Sequence, residues 1–275
     1  MNPILAANDT WKCPGHGSIV EDGRGRYFLL YHAYSTGGSI FTGREGMLDE
    51  VRFGADGWPT IDNNNGPSVQ APSPFGAPQQ KTDIGYADNF AGNELSKGWQ
   101  WPQDREPVCR LKNGQLWLSA KGRATNFLAA VLARSTTAAD YVATAVIDMT
   151  SLKPGCAVGL CAFGDEQNAM GVFVRDGQII TWGRHRGEHH ELSQQAAPPG
   201  QKLSLRLTAR LGYRFQVGAS AGDDRWISCG NATEAKDLPP WDRSVRVALT
   251  AGGVVGAEGV FDAFSLQPLA MSSEK

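Results

Sequence analysis

Leu203-Ser204-Leu205-Arg206-Leu207-Thr208 alternates an aliphatic residue with a polar one through three periods. An extended strand repeats its side chains every two residues, so the leucines face an interior and Ser204, Arg206 and Thr208 face away from it. Runs of strand character recur on both sides, at 115–119, 128–134, 141–149, 157–163, 169–175, 178–182, 213–219, 245–250 and 260–266. Asp176-Gly177, between two apolar runs, is a hairpin signal, because both residues tolerate the left-handed backbone of a tight turn. The 33 glycines and 15 prolines of the chain supply breaks between such runs. From residue 86 onward this spacing predicts antiparallel strands folded into a two-sheet sandwich.

Toward the amino terminus the pattern is shorter. Candidate strands at 18–21, 26–34, 46–53 and 58–61 are parted by Asp22-Gly23-Arg24-Gly25 and Ala55-Asp56-Gly57. Four short strands in about sixty residues is the content of one propeller blade. Asp62 and Asn63-Asn64-Asn65-Gly66-Pro67 then lead into Pro72, Pro74, Gly76, Pro78, Gln79 and Gln80, the composition of an extended linker. No internal repeat is visible, so a whole propeller is not contained in the sequence. The expectation is an all-β chain, a partial propeller blade with linker over 1–80 and a sandwich over 86–268.

The 26 basic and 28 acidic residues are spread along the whole length, with a net charge of -2 and no run of one sign. That balance offers no footprint for nucleic acid or an anionic membrane. No apolar stretch approaches the roughly 20 residues needed to span a bilayer. The start, Met1-Asn2-Pro3-Ile4-Leu5, lacks the basic n-region and long apolar core of a secretory signal. The five cysteines, Cys13, Cys109, Cys156, Cys161 and Cys229, include no C-x-x-C pair and no metal-type spacing. Cys156 and Cys161 are five apart in a strand-like segment and face opposite sides, which suits buried free thiols.

Two segments of the first part carry a resemblance. Trp11-Lys12-Cys13-Pro14-Gly15-His16-Gly17-Ser18, followed by Gly25-Arg26-Tyr27-Phe28-Leu29-Leu30-Tyr31-His32-Ala33-Tyr34, resembles the G-H-x-S segment and following strand in the last blade of family 43 glycoside hydrolases. Gly43-Arg44-Glu45 and Asp56-Gly57-Trp58-Pro59 resemble that family's G-R and D-G-W-P signatures, in the same order and spacing. The remainder is similar to the concanavalin-like sandwich that follows the propeller in many members. Its cues are Tyr86-Ala87-Asp88-Asn89-Phe90, Trp99-Gln100-Trp101, 157–161 with Gly164-Asp165-Glu166-Gln167-Asn168, and 259–264.

The resemblance implies a glycosidase, β-xylosidase-like or arabinanase-like, acting on arabinose- or xylose-containing plant polysaccharide. Inverting hydrolysis needs a general acid and a general base on opposite sides of the sugar. In the family these carboxylates sit on earlier blades, so no catalytic residue is assigned here. The chain alone is expected to be inactive and to need a partner carrying the missing blades, as a truncated product or half of a split enzyme. His16 matches a histidine that faces the central channel and helps hold a metal through water, so it is a candidate for substrate and metal binding, the metal being a calcium ion once the propeller is complete. Arg44 matches an arginine that hydrogen-bonds substrate, and its fixed fork can hold two sugar hydroxyls or a carboxylate. Each also has a plain reading, as a loop histidine and a solvated arginine. Ser18 and His32 lie in the matched segments, where packing or a turn accounts for them equally. Relatives are commonly exported.

The sandwich offers weaker candidates. His189 and His190 in Arg184-His185-Arg186-Gly187-Glu188-His189-His190 would point to opposite faces of a strand, so a solvated hairpin is the better reading. Asp165-Glu166 are neighbours and Asp148 stands alone, so the carboxylates alternating along one strand of a concanavalin-type hydrolase site are absent. Trp99, Trp101, Trp117, Trp182, Trp226 and Trp241 serve either as sugar-stacking platforms or as core. The alternative function is a non-catalytic carbohydrate-binding or structural sandwich.

Overall fold

The computed structural model describes residues 4–74, 76, 85–122, 126–222, 225–238 and 244–269. Among these residues there is no α-helix, and none of the three short 3-10 turns could cross a membrane. The first sheet joins β1 (Trp11–Glu21), β2 (Tyr27–Ser35), β3 (Glu45–Phe53) and β4 (Pro59–Ile61), antiparallel and in sequence order. Alternation decides its faces. Leu29, Tyr31 and Ala33 are buried with Val51 and Ile61, and Ile4, Leu5 and Trp11 pack against them. The opposite face keeps apolar groups in solvent: Leu30 is 55% exposed beside Leu48 at 40%, and Val20 is 54% exposed.

Part of the stretch read as an extended linker packs on the first sheet. Asp62–Asn64 forms a 3-10 turn, and Gly66, Pro67 and Ser68 are buried against the first sheet. The cause is Asp49, a carboxylate only 3% exposed. It accepts from the Tyr31 hydroxyl at 2.5 Å, from the Ser68 N–H at 3.2 Å and from the Ser68 hydroxyl. A buried charge without such donors would be costly. Asn8 and Trp11 clamp the same segment by donating to the Pro67 and Ser68 carbonyls at 2.8 and 3.1 Å. Pro78, Gln79 and Gln80 lie outside the described residues.

The second layer runs β5 (Tyr86–Asp88), β6 (Trp99–Gln100), β7 (Val108–Lys112), β8 (Gln115–Ser119), β9 (Ala130–Ser135), β10 (Tyr141–Asp148), β11 (Ala157–Phe163), β12 (Ala169–Arg175), β13 (Gln178–His185) and β14 (Glu188–Ala196). It continues through β15 (Lys202–Arg210), β16 (Arg214–Ser220), β17 (Ile227–Ser228), β18 (Thr233–Glu234), β19 (Arg246–Gly252) and β20 (Glu258–Pro268). One sheet has the order β17-β16-β15-β10-β20-β8-β7, with β18 on β16 and β5 on β20. The other is β14-β13-β12-β11-β19-β9-β6. Leu203, Leu205 and Leu207 of β15 are fully buried between the sheets with Ala143, Ala145 and Ile147 of β10, as the alternation predicts. Asp176-Gly177 forms the β12–β13 turn, with both residues at positive φ.

β11 and β12 are buried at nearly every position because both faces of their sheet are covered. Val158, Leu160 and Ala162 enter the inter-sheet core, while Cys161 and Phe163 join Phe173, Ile180 and Trp182 on the outer face, where Leu128 and Phe127 cap them. The Arg184–His190 segment is a hairpin turning at Arg186-Gly187, but β14 carries on to Ala196, a strand whose mixed polarity hid it. β7 was hidden in the same way.

A knob joins the first sheet to the sandwich. Phe41, on the 3-10 turn Ile40–Thr42, is 7% exposed and belongs to the sandwich core, 5.6 Å from the Tyr213 ring. Its carbonyl accepts from the Val245 N–H at 2.8 Å, and Ser39 donates to the Leu211 carbonyl at 3.2 Å. Gly212 makes room: a Cβ there would lie 2.8 Å from Phe41 Cβ, and its φ of +78° suits glycine.

Candidate functional site

β1 starts at Trp11, seven residues before the 18–21 strand that the sequence suggested. Its ladder to β2 is broken twice. Lys12 lies opposite Tyr34, Gly15 opposite His32 and Ser18 opposite Leu30, so β1 uses three residues per step where β2 uses two. Each extra residue makes a β-bulge, and Cys13 and His16 sit there with φ of 52°. Left-handed backbone costs a non-glycine residue about 1–2 kcal/mol. Bulges re-aim side chains, and Pro14 is tolerated because bulges need not donate to the ladder.

His16 is thereby brought over β2, with its ring stacked 6.2 Å from that of His32. Two positions on, and on the same face, Tyr34 carries the Arg44 guanidinium 5.9 Å from its ring centroid. The two sequence candidates thus lean on neighbouring side chains of one strand, on the face away from Tyr31 and Ala33. His32 is the support for His16, and Ser18 is exposed where the ladder resumes. Among the described residues no group of three or more His, Cys, Asp or Glu could hold a metal ion. Calcium takes about six to eight oxygen ligands.

Arg44 also borders a cleft between the first sheet and the sandwich. Glu45 lies beside it, and Gln100, Ser135 and Arg246 face it from β6, β9 and β19. Sequence reading missed this far wall. Gln100 fell within a quoted motif, but nothing in the chain's order brings it to Arg246, 146 residues away.

The carboxylates weighed in the sandwich have structural partners. Asp165 accepts from the Gln167 and Asn168 N–H groups at 2.8 Å, Glu166 pairs with Arg105, and Asp148 ties Thr150, Ser151 and Gln115 together. Burial opposes ionisation of Asp148, yet those hydrogen bonds prevail and hold its carboxyl below the usual range. His189 packs 4.4 Å from Phe127, and the resulting desolvation lowers its pKa. Trp182 and Trp99 are buried core residues, and Arg206 covers the Trp226 ring at 3.5 Å. Trp101 remains 38% exposed, and Trp241 lies outside the described residues.

Comparison with known proteins agrees with this architecture. The model of the β-xylosidase C-terminal concanavalin A-like domain matches residues 87–241, and that of glycosyl hydrolases family 43 matches residues 2–59. A family 43 protein from Bacillus licheniformis is similar in fold, with a TM-score of 0.77 and 22% identity over 98% of this chain and 56% of that one. A family 43 protein of a Bacteroides ovatus xyloglucan locus matches at a TM-score of 0.74 and 20% identity, covering 98% of this chain and 57% of its own. A xylan β-1,4-xylosidase from Bacillus halodurans matches at 0.73 and 17%, covering 96% and 56%. The chain thus spans a little over half the length of these structures. No curated protein matches the sequence. A domain model matched over more than half the chain, with the family's own model matched ahead of it, makes this chain a member of glycoside hydrolase family 43.

Proposed function

We propose that this chain is the C-terminal portion of a glycoside hydrolase acting on arabinose- or xylose-containing plant polysaccharide, in which His16 and Arg44 contact the sugar. The observation that carries the reading is the gathering of His16, His32, Tyr34 and Arg44 on one face of the first sheet, with a bulge at His16. Arg44 supplies a planar fork for vicinal hydroxyls. His16 presents one ring nitrogen to the ligand, or to a water of a bound cation, while His32 limits its rotation.

The acid and base that hydrolysis requires come from propeller blades other than this one, on a partner or a longer chain, and Asp49 is excluded because it is engaged by Tyr31 and Ser68. Burial and the adjoining Asp49 raise the pKa of Tyr31 far beyond its ordinary value, so it too is no acid-base group. The burial of Trp99 and Trp182 weighs against a free-standing sugar-binding module. Aryl β-xyloside and aryl α-arabinofuranoside should not be turned over by the purified chain. Turnover that disappears on replacing one carboxylate of this chain would overturn the reading.

A further inference from the structure

The β7–β8 hairpin closes at Asn113-Gly114, both at positive φ, and this two-residue turn fixes its register. Leu116 and Leu118 of β8 enter the core, so Trp117 lies on the outer face of its sheet, half-buried between Arg110 of β7 and Val260 of β20. Lys112 follows Arg110 on the same face. Arg110, Leu111, Lys112 and Trp117 line a cleft of about 300 Å³, the lower end of the range for small-molecule sites. We propose that this cleft is an accessory glycan site for a uronate-bearing sugar unit, with the apolar face of the sugar on Trp117 and its carboxylate on Lys112. That the ligand is a sugar rests on the polysaccharide reading above, while the preference for an anion comes from the cleft itself. β19 runs from Arg246 to Gly252, and the chain then crosses at 253–257 to Glu258 on the other sheet. Trp117, opposite Val260, therefore lies toward the end of the sandwich away from Arg246, about 20 Å off along β19.

The tryptophans differ in how their faces are covered. Trp99 and Trp182 are core, and Arg206 lies 3.5 Å from the centroid of the Trp226 ring. Over Trp117 the Arg110 guanidinium stands 6.0 Å from the centroid and is held by an ion pair with Glu258. The ring thus faces the cleft without a close cap, and a flat indole matches the C–H face of a pyranose. Trp117 Nε1 is buried with no acceptor among the described residues. A sugar oxygen admitted beside the ring gives this donor the partner it lacks. The charge in the cleft follows from what is already paired. Of the nearby carboxylates, Glu258 pairs with Arg110, Asp262 pairs with Lys202 at 2.9 Å, and Asp148 is engaged by Thr150 and Ser151. Lys112 is exposed and makes no ion pair among the described residues, which leaves it for a ligand carboxylate. Its compact charge on a flexible stem reaches such a group without a fixed geometry. A neutral sugar would make the stacking contact alone.

Titration calorimetry on the full chain tests this by comparing a xylotriose bearing one glucuronosyl branch with plain xylotriose. The branched sugar should bind about tenfold more tightly, an advantage that Lys112→Ala erases and raised salt reduces. Trp117→Ala should weaken the branched sugar by about tenfold as well. Lys112 is exposed, so its variant stays informative if the loss of Trp117 perturbs folding. Equal affinity for the two sugars, or undiminished binding of the branched one by both variants, overturns the proposal. Sodium sulfate binding as tightly as the branched sugar would reveal a bare anion patch and overturn it too. Arg44→Ala separates the two readings. Loss of the branched sugar with Arg44→Ala alone places it in the other cleft, which removes the accessory site and leaves the Arg44 contact standing. Loss with Lys112→Ala and Trp117→Ala but not with Arg44→Ala upholds the accessory site, whatever the fate of the Arg44 contact.

Discussion

The first sheet and the sandwich are both antiparallel and rich in aliphatic strands, yet only one of them encloses its apolar surface. In the sandwich, β11 and β12 are covered on both faces, and residues such as Leu160, Val172 and Trp182 are withdrawn from water. In the first sheet, one face is sealed by residues 4–11 and 65–68, while Leu30, Leu48 and Val20 remain at the surface. Alternation within a strand provides for two faces, but a single sheet can cover just one of them with its own flanking segments. The first sheet further depends on the sandwich through Phe41, which leaves its own sheet to fill a hole in the neighbouring core.

Core truncation is the largest test of that contrast. Phe264→Ala, at a side chain 1% exposed between the sheets, should cost about 3–5 kcal/mol in denaturant unfolding. A smaller loss than that of Phe41→Ala would reverse the ranking of the two regions. Phe41→Ala comes next, at about 3 kcal/mol, and should release the first sheet from the sandwich. Hydrogen exchange should then quicken at residues 27–34 and stay slow at 157–163. Strong protection of 27–34 in a dilute monomer of the variant would mean that the first sheet is self-sufficient. In the same terms, a fragment of residues 86–275 should melt cooperatively, as expected of an independent sandwich.

Acid should act on the sandwich rim before its core. Asp88 is penalised by burial, but hydrogen bonds from Tyr86 at 2.7 Å, the Phe90 N–H at 2.9 Å, Ser96 at 2.9 Å and Trp99 at 3.3 Å outweigh this and hold its carboxyl below the usual range. A depressed carboxylate contributes its full stability above the unfolded value, near pH 4, and loses it as pH falls through the folded value. Stability measured against pH should therefore drop below about pH 4, and Asp88→Asn should flatten that drop. An unchanged slope in the variant would assign the acid sensitivity elsewhere. The smallest effect belongs to Leu30→Ser, within about 0.5 kcal/mol at an exposed site. Its visible consequence should be reduced self-association in sedimentation, since an exposed apolar patch promotes contact. A large stability loss would show that this face is already covered in solution.

Where the sequence was legible, a single period controlled the result. β15 and β10 alternate without interruption, and β8, β11 and β12 fall on the residues their apolar runs suggest. β14 was missed because Glu188–Ala196 is an exposed edge with few apolar residues, so burial left no pattern to read. The beginning of β1 was missed for the opposite reason: Pro14, Gly15 and Gly17 look like loop, yet they mark two bulges in a continuous strand. The packing of Ser68 on Asp49 left no local signal, because a hydrogen bond between distant residues has no spacing rule.

By itself the sequence determined an all-β chain, its division into a short and a long group of strands, and His16 and Arg44 as residues to watch, since strand period and local motifs are properties of neighbouring residues. Tertiary structure alone decided that Trp182 is core and not platform, that Phe41 couples the two regions, and that Gln100 and Arg246 face Arg44 across one cleft. Those facts depend on which strands lie side by side, and strand order in a sheet is set by the burial of whole faces, to which residues far apart in the chain contribute together.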